Sequence, residues 1–436
     1  MSSLYIFTRD LRVEDNRALW EACKKSDKIV TAYILDFEEL KERGIEYEDP
    51  RFSFLIEALN EINNYTKLRV FIGKPDIILS YLLDKYGFDK VFMSHPHTET
   101  EREKKRRVES VCKRHGVKLI TVKDNVLTDY TQIRSGVNFT SFYREWRKRV
   151  DDSIVDLPPT EKFAEVDEPS LEEVINKNKW RVTNKSSWSL SDLKMRLQKF
   201  DFVRYAYMKD LPGVDGTSKL SPYISHGIIS VRIVYLRARE YSEEFVRQLA
   251  WREYYYYLME KHPWMRRLEL KPYMRNLKWG DDEELFRAFT EGKTGYPIVD
   301  AGIKQLKKEK WIHNRVRLIV ASFLVKDLHI DWKKGEEFFK KYLIDYDEAL
   351  NIGNWQWAAS VGVDPLPIRL FNPILQSKKY DPECVYIKKY LPELESFKCE
   401  ELHDPLKYRL AGYHEPIVNH YTAVEEFRLK VFRGGA

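Results

Sequence analysis

The chain has 436 residues, 43% hydrophobic and 33% charged, enough to build a sizeable core in two domains. Its 74 Lys and Arg against 68 Asp and Glu leave a formal charge of +6, a mild excess that permits a basic face for nucleic acid without requiring one. No apolar run reaches the roughly 18 to 20 residues that span a bilayer, and the first residues carry no signal stretch, so no membrane association and a cytoplasmic location are expected.

From Leu4 to about Asn125, short β-branched runs alternate with amphipathic, charge-rich stretches, the pattern of a doubly wound parallel sheet. Strands are predicted at residues 4–8, 29–36, 69–72, 91–94 and 118–122, and helices at 16–25, 51–64, 76–86 and 99–115. Pro75 supplies a start signal, and Gly87 and Gly116 supply stops. Residues 1–130 therefore read as a Rossmann-like α/β domain, although no GxGxxG fingerprint is present. Between Asp151 and about Lys185 the chain turns Pro- and Glu-rich and periodicity is lost, so an interdomain linker is placed at 131–190. Helical spacing dominates afterwards, with helices predicted at 244–260, 297–307, 314–327 and 336–343, and residues 191–436 read as a large all-helical domain. Cys23, Cys112, Cys384 and Cys399 stand far apart without a CxxC pair, which argues against a disulfide framework and a zinc site; no metal is expected.

Several helical-half segments mix residue types that a plain core would not use. Thr217, Ser218, Lys219, Leu220 and Ser221 precede a helix, where free N–H groups favour a phosphate; an N-cap at Ser221 with Pro222 first in the helix fits equally well. Gln248, Trp251, Arg252 and Tyr255 share one helix face, and a buried Arg needs an anionic partner. Arg315 and Arg317 point different ways, one toward a phosphate and the other toward an internal carboxylate; His313 reads as structural. Asp345 and Asp347 with Asn351 could hydrogen-bond a flavin's imide or ribose, or form an acidic helix start. Trp355 and Trp357, echoed upstream by Trp332 and Trp279, suit either packing or electron transfer, since indole is easily oxidised and stacks well on planar bases. Two residues apart, they point roughly 200° away from each other on a helix.

Taken together, Phe7-Thr8-Arg9-Asp10-Leu11-Arg12 with Asp15-Asn16, the 217–221 loop, Trp251-Arg252-Glu253, residues 294–301, residues 311–317 and residues 355–360 resemble the cryptochrome/photolyase family, in particular its class I branch, over nearly the whole chain. The resemblance implies a catalytic, reduced FAD in the helical domain, lined by Tyr205, Thr217, Ser218, Lys219, Leu220, Ser221, Arg252, Arg317, Asp345, Asp347 and Asn351. In it Arg317 pairs with Asp345, and Asn351 faces the flavin N5. Trp355, Trp332 and Trp279 would carry electrons to FAD from the surface. Trp251 and Trp357 would clamp the damaged bases, with Lys209, Gln248, Asn314, Arg315, Leu318 and Gln376 near the lesion or its backbone.

The activity implied is light-driven repair of cyclobutane pyrimidine dimers in single- or double-stranded UV-damaged DNA by a monomer. It requires flipping the lesion out of the stack, and photolyases are a standard example of that chemistry. Gln248 stands where dimer photolyases commonly carry Glu and recurs in (6-4) photolyases, which carry His where this chain has Asn314 and Leu318. A (6-4) photolyase and a cryptochrome-like blue-light sensor remain alternatives; the sensor would usually carry a long tail, for which the residues after Phe427 leave little room. A second, antenna chromophore is expected at the carboxyl ends of the strands near Arg9, Asp10 and Asp36, with a flavin or deazaflavin favoured over folate.

Overall fold

The computed structural model describes residues 2–136, 138–180, 188–364 and 366–434. Five strands, β1 (Ser2–Phe7), β2 (Lys28–Leu35), β3 (Arg69–Ile72), β4 (Lys90–Ser94) and β5 (Lys118–Val122), form a parallel sheet in the order β3-β2-β1-β4-β5. Successive side chains of a strand point to opposite faces. Accordingly β1 feeds two cores: Tyr5 and Phe7 join Leu19, Phe52 and Leu59, whereas Leu4 and Ile6 join Leu79, Leu82 and Val108. Burial of every β1 residue from Ser3 to Phe7 is what a central parallel strand covered on both sides requires.

Helices Arg17–Lys24, Pro50–Thr66, Pro75–Tyr86 and Glu99–Arg114 occupy the crossovers. Asn16 caps the first by accepting from Leu19 N (2.9 Å), Thr98 and Glu101 form a capping box at the last, and Gly87 ends the third at φ +60°. The predicted linker is packed rather than structureless. Its Leu171–Lys177 helix opens on a Ser170/Glu173 capping box, and Leu171, Val174 and Trp180 join the first core. A seven-residue helix is too short for its apolar period to stand out from Pro- and Glu-rich surroundings. Residues 181–187 of that segment lie outside the described residues.

The chain divides into two compact units, Met1–Phe202 with Ser218–Lys261, and Val203–Thr217 with His262–Ala436. Ser218–Lys261, read from sequence as part of the helical half, thus groups with the sheet. In this first unit Asp124 lies between Arg12 (2.6 Å) and Arg232 (2.9 Å), and Arg232 also reaches Asp15 (2.7 Å), all buried. Burial alone would raise the Asp124 carboxyl, but the two guanidiniums outweigh it and hold it at about 2. Gly227 (φ +67°) closes the same junction: a Cβ there would stand 2.1 Å from the Arg9 carbonyl.

The helices of the second unit include Pro297–Glu309, Asn314–Lys326, Trp332–Tyr342, Glu348–Ala358, Pro373–Tyr380 and His420–Gly434. Gly302 lets Val316 and Val320 approach where a Cβ would be 2.6 and 2.7 Å from them. Among the described residues no helix is long and apolar enough to cross a membrane.

Candidate functional site

In the second unit the Glu348–Ala358 helix arranges three side chains. Asp347 caps it, accepting from Leu350 N (3.2 Å). Asn351 and Trp355, four residues apart, share its buried side, with exposures of 8% and 2%. The Asn351 amide donates to the Glu336 carbonyl (3.1 Å) and to Glu336 Oε1 (2.9 Å), which also accepts from the Tyr346 hydroxyl (3.2 Å). Both amide hydrogens are therefore committed to Glu336, leaving Oδ1 as the acceptor Asn351 can offer. Burial pushes the Glu336 carboxyl up to about 7, against the lowering effect of the Asn351 and Tyr346 hydrogen bonds. Sequence reasoning missed Glu336; it sits one turn after Trp332, a spacing that would have placed it on the same helix face as that tryptophan.

Trp355 packs edge-on against Phe339 (5.0 Å) and over Gly335, whose Cβ would stand 2.3 Å from the indole. Trp332, 1% exposed and on the face of Gly335, donates from its indole to Glu269 Oε1 (3.1 Å). Trp279 is half-buried beside Phe427 (6.3 Å), and the next residue, Gly280, donates to the His329 carbonyl (2.7 Å), just ahead of Trp332. Trp357 turns elsewhere: it meets Phe371 (5.7 Å) and lies under the Arg369 guanidinium (4.9 Å), itself held by Asp364 (2.5 and 3.1 Å).

Arg317 donates to both Asp345 oxygens (3.0 and 2.7 Å) and to the Ile312 carbonyl (3.0 Å). Arg315 pairs with Asp210 (2.8 Å) and stacks on Tyr380 (4.2 Å), so its charge is already partnered; Lys209 reaches the same carboxylate (3.1 Å). Burial raises the Asp210 carboxyl, but the two cations outweigh it and leave it below the usual range. His313 caps the Asn314–Lys326 helix, which leaves Asn314 exposed and Leu318 half-buried. Gln376 is half-buried with its Oε1 buried and unpartnered among the described residues, while Tyr205 and Thr217 are half-buried.

The first unit holds the rest. Leu220, not Ser221, is the N-cap of the Ser221–Ser225 helix and makes no side-chain bond; Ser218 Oγ accepts from Leu220 N (3.4 Å) instead, and Lys219 turns the loop at φ +52°. A five-residue helix adds little dipole, so any anion held here depends on loop N–H groups and side chains. Gln248 donates to Glu244 (3.3 Å). Trp251 stacks face to face on Phe139 (3.7 Å, 6°). Arg252, 7% exposed, donates from Nη1 to the Asn125 carbonyl (2.8 Å) and lies over Tyr256 (4.8 Å). Its Nη2 is buried with no hydrogen-bond partner among the described residues. A buried guanidinium nitrogen left unpaired is costly, and a phosphate or other anionic ligand group would satisfy it. Glu253, in contrast, is fully engaged by Leu127 N, Thr128 and Trp146 and is structural. Arg9, Asp10 and Asp36 also have structural partners: Arg9 meets Ser225 and Glu101, Asp10 accepts from Tyr5, Thr8 and Asn16, and Asp36 caps a short helix.

The second unit thus carries a part-buried Arg–Asp pair, an amide fixed by Glu336, and two buried tryptophans with a third half-buried. The family model for the FAD binding domain of DNA photolyase matches residues 245–432, and that for DNA photolyase matches residues 3–164. The chain belongs to the DNA photolyase family. It is 34% identical to a deoxyribodipyrimidine photo-lyase of Alkalihalophilus pseudofirmus, over 98% of this chain and 97% of the relative. An archaeal photolyase from Sulfolobus tokodaii, whose structure holds two FAD molecules, superposes with a TM-score of 0.89 at 32% identity, covering 99% of this chain and all of that one. A Synechocystis cryptochrome superposes at 0.85 with 25% identity, covering 98% of both chains.

Proposed function

We propose that this protein is a deoxyribodipyrimidine photo-lyase that repairs cyclobutane pyrimidine dimers in UV-damaged DNA, acting as a cytoplasmic monomer. Held in its reduced form by the residues named below, FAD would supply the light-driven electron donation that opens the dimer's two ring bonds. The observation that carries the reading is the Asn351–Glu336 pair. With its N–H groups held by Glu336, Asn351 offers an oxygen acceptor, which suits the protonated N5 of a reduced flavin rather than the bare N5 of an oxidised one.

Arg252 and the 217–221 loop serve the cofactor's phosphates, and Arg252 Nη2 is the donor awaiting one. Tyr205, Asp345 with Arg317, and Asp347 line the remainder. Trp279, Trp332 and Trp355 pass electrons inward, from a half-buried Trp279 to the nearly fully buried Trp332 and Trp355. Trp251 and Trp357 are walls for the flipped-out lesion. Gln376 Oε1, unpartnered among the described residues, is an acceptor suited to a pyrimidine N–H, and Asn314, Gln248 and Leu318 complete the contacts. Lys209 and Arg315, two cations sharing the single Asp210 carboxylate, keep one net positive charge for the DNA backbone, which makes binding salt-dependent. The α/β half holds the second chromophore, and the two FAD molecules of the archaeal relative favour a flavin there.

Two variants test the division of labour. Trp355→Phe slows photoreduction of oxidised FAD yet leaves repair by chemically reduced enzyme intact; unchanged photoreduction removes Trp355 from the relay. Trp357→Ala weakens binding of dimer-containing DNA with FAD retained, by about 1–3 kcal/mol if one base-stacking contact is lost. An unchanged Kd in a gel-shift titration contradicts that role.

A further inference from the structure

A second set of stacked rings leaves Trp251 within the first unit. Phe139 lies flat on Trp251 (3.7 Å, 6°), and Tyr143, one turn later on the Phe139–Arg147 helix, stacks on Phe139 in turn (5.7 Å, 22°). Tyr143 is half-buried, and its hydroxyl donates to the carboxylate of Glu243, an exposed residue also held by Arg147 (3.1 Å). The Arg247 guanidinium lies over both Phe139 (5.4 Å) and Tyr143 (4.9 Å).

We propose that this stack is an electron outlet for Trp251, in which Tyr143 reduces an oxidised Trp251 indole across Phe139 and hands its phenolic proton to Glu243. The inference goes beyond the repair activity and does not depend on which lesion is repaired. A one-electron photo-oxidant of the excited-flavin or ruthenium-polypyridyl class takes an electron from Trp251. The indole radical cation takes one from Tyr143, and the O–H proton moves to the Glu243 carboxylate, leaving a neutral tyrosyl radical, a carboxylic acid and an intact indole.

Proton loss makes this direction downhill. A phenol that must keep its proton forms a cation radical, a poorer product than an indole cation, whereas one that sheds the proton as the electron leaves is the easier donor. The Tyr143–Glu243 hydrogen bond supplies the acceptor in place, next to solvent where the acid can re-equilibrate. Arg247 reinforces the outcome, because a fixed cation over the ring disfavours positive charge on it and so favours the neutral radical. Phe139 is itself hard to oxidise and serves as a tunnelling bridge, with its face covering one side of Trp251. The physical gain is protection: an oxidising equivalent that lands on a wall of the lesion pocket is moved to the surface before it reacts with bound DNA.

The test is a flash-quench experiment on the FAD-containing protein with ruthenium tris-bipyridine and persulfate, following indole radical absorption and the tyrosyl signal by electron paramagnetic resonance. Wild-type protein is expected to show decay of an indole radical into a tyrosyl radical. Tyr143→Phe is expected to lose that tyrosyl component and to lengthen the indole radical several-fold. Glu243→Gln, which keeps the ring stack but lacks the base, is expected to lengthen it as well, with circular dichroism and FAD content unchanged in both. A wild-type indole lifetime in either variant overturns the proposal.

Discussion

Asn351 and Glu336 show how one titratable group fixes a neighbouring amide. Folded Glu336 titrates at about 7, above the ordinary glutamate value of 4.5, so the native state holds this proton more tightly than the unfolded chain does. Its effect on stability is therefore most favourable below pH 4.5 and declines as the pH rises to about 7, above which the loss stays constant. Glu336→Gln should flatten that part of the stability–pH curve and be more stable than wild type at pH 8, measured by urea unfolding at several pH values; an unchanged curve contradicts the assignment. Arg252 is the matching case on a cation, with Nη2 buried and unpartnered among the described residues. Arg252→Ala should lower the flavin-to-protein absorbance ratio after purification, since a charged hydrogen bond contributes about 1.5–3 kcal/mol, about tenfold or more in affinity. Full FAD retention would exclude a phosphate contact.

At the scale of elements, the Trp332–Tyr342 and Glu348–Ala358 helices are joined by one glycine. Gly335 accepts the Trp355 indole where a Cβ would collide at 2.3 Å, so Gly335→Ala must displace Trp355. Such overpacking destabilises by about 1–3 kcal/mol, and slower photoreduction should accompany the lower Tm. The strands and the longer helices were legible in the sequence because a short apolar run between turn signals, as in β1, and a long stretch free of Gly and Pro, as in Glu243–Lys261, each stand out from their surroundings. The Leu171–Lys177 helix was not, being too short, nor was the Leu220 N-cap, where a nearby serine offered a stronger local signal than the backbone used. Of the site, Trp355, Trp357 and the Arg317–Asp345 pair could be singled out because indoles and unlike charges announce themselves by residue type. Glu336, Arg369 and Phe139 could not, since their importance lies in what they touch across the fold, and their types are those of any surface helix or core.

For the whole molecule, the buried Arg12–Asp124–Arg232–Asp15 lattice gathers chain segments more than two hundred residues apart in the first unit. Asp124→Asn leaves two guanidiniums short of charge in a dry interior and should cost about 3–5 kcal/mol in chemical denaturation. With Asp124 titrating at about 2, the pair's contribution persists above pH 4 and is lost only as the pH falls toward 2. Family membership establishes the architecture on which this lattice and the proposed flavin-binding residues sit; the lesion is the finer question. The most direct measurement is anaerobic blue-light incubation of the reduced protein with two oligonucleotides, one carrying a cyclobutane thymine dimer and one a (6-4) product. The account predicts that thymines are restored in the first and not in the second. Absence of thymine from the dimer substrate, with FAD bound and reduced, would contradict it.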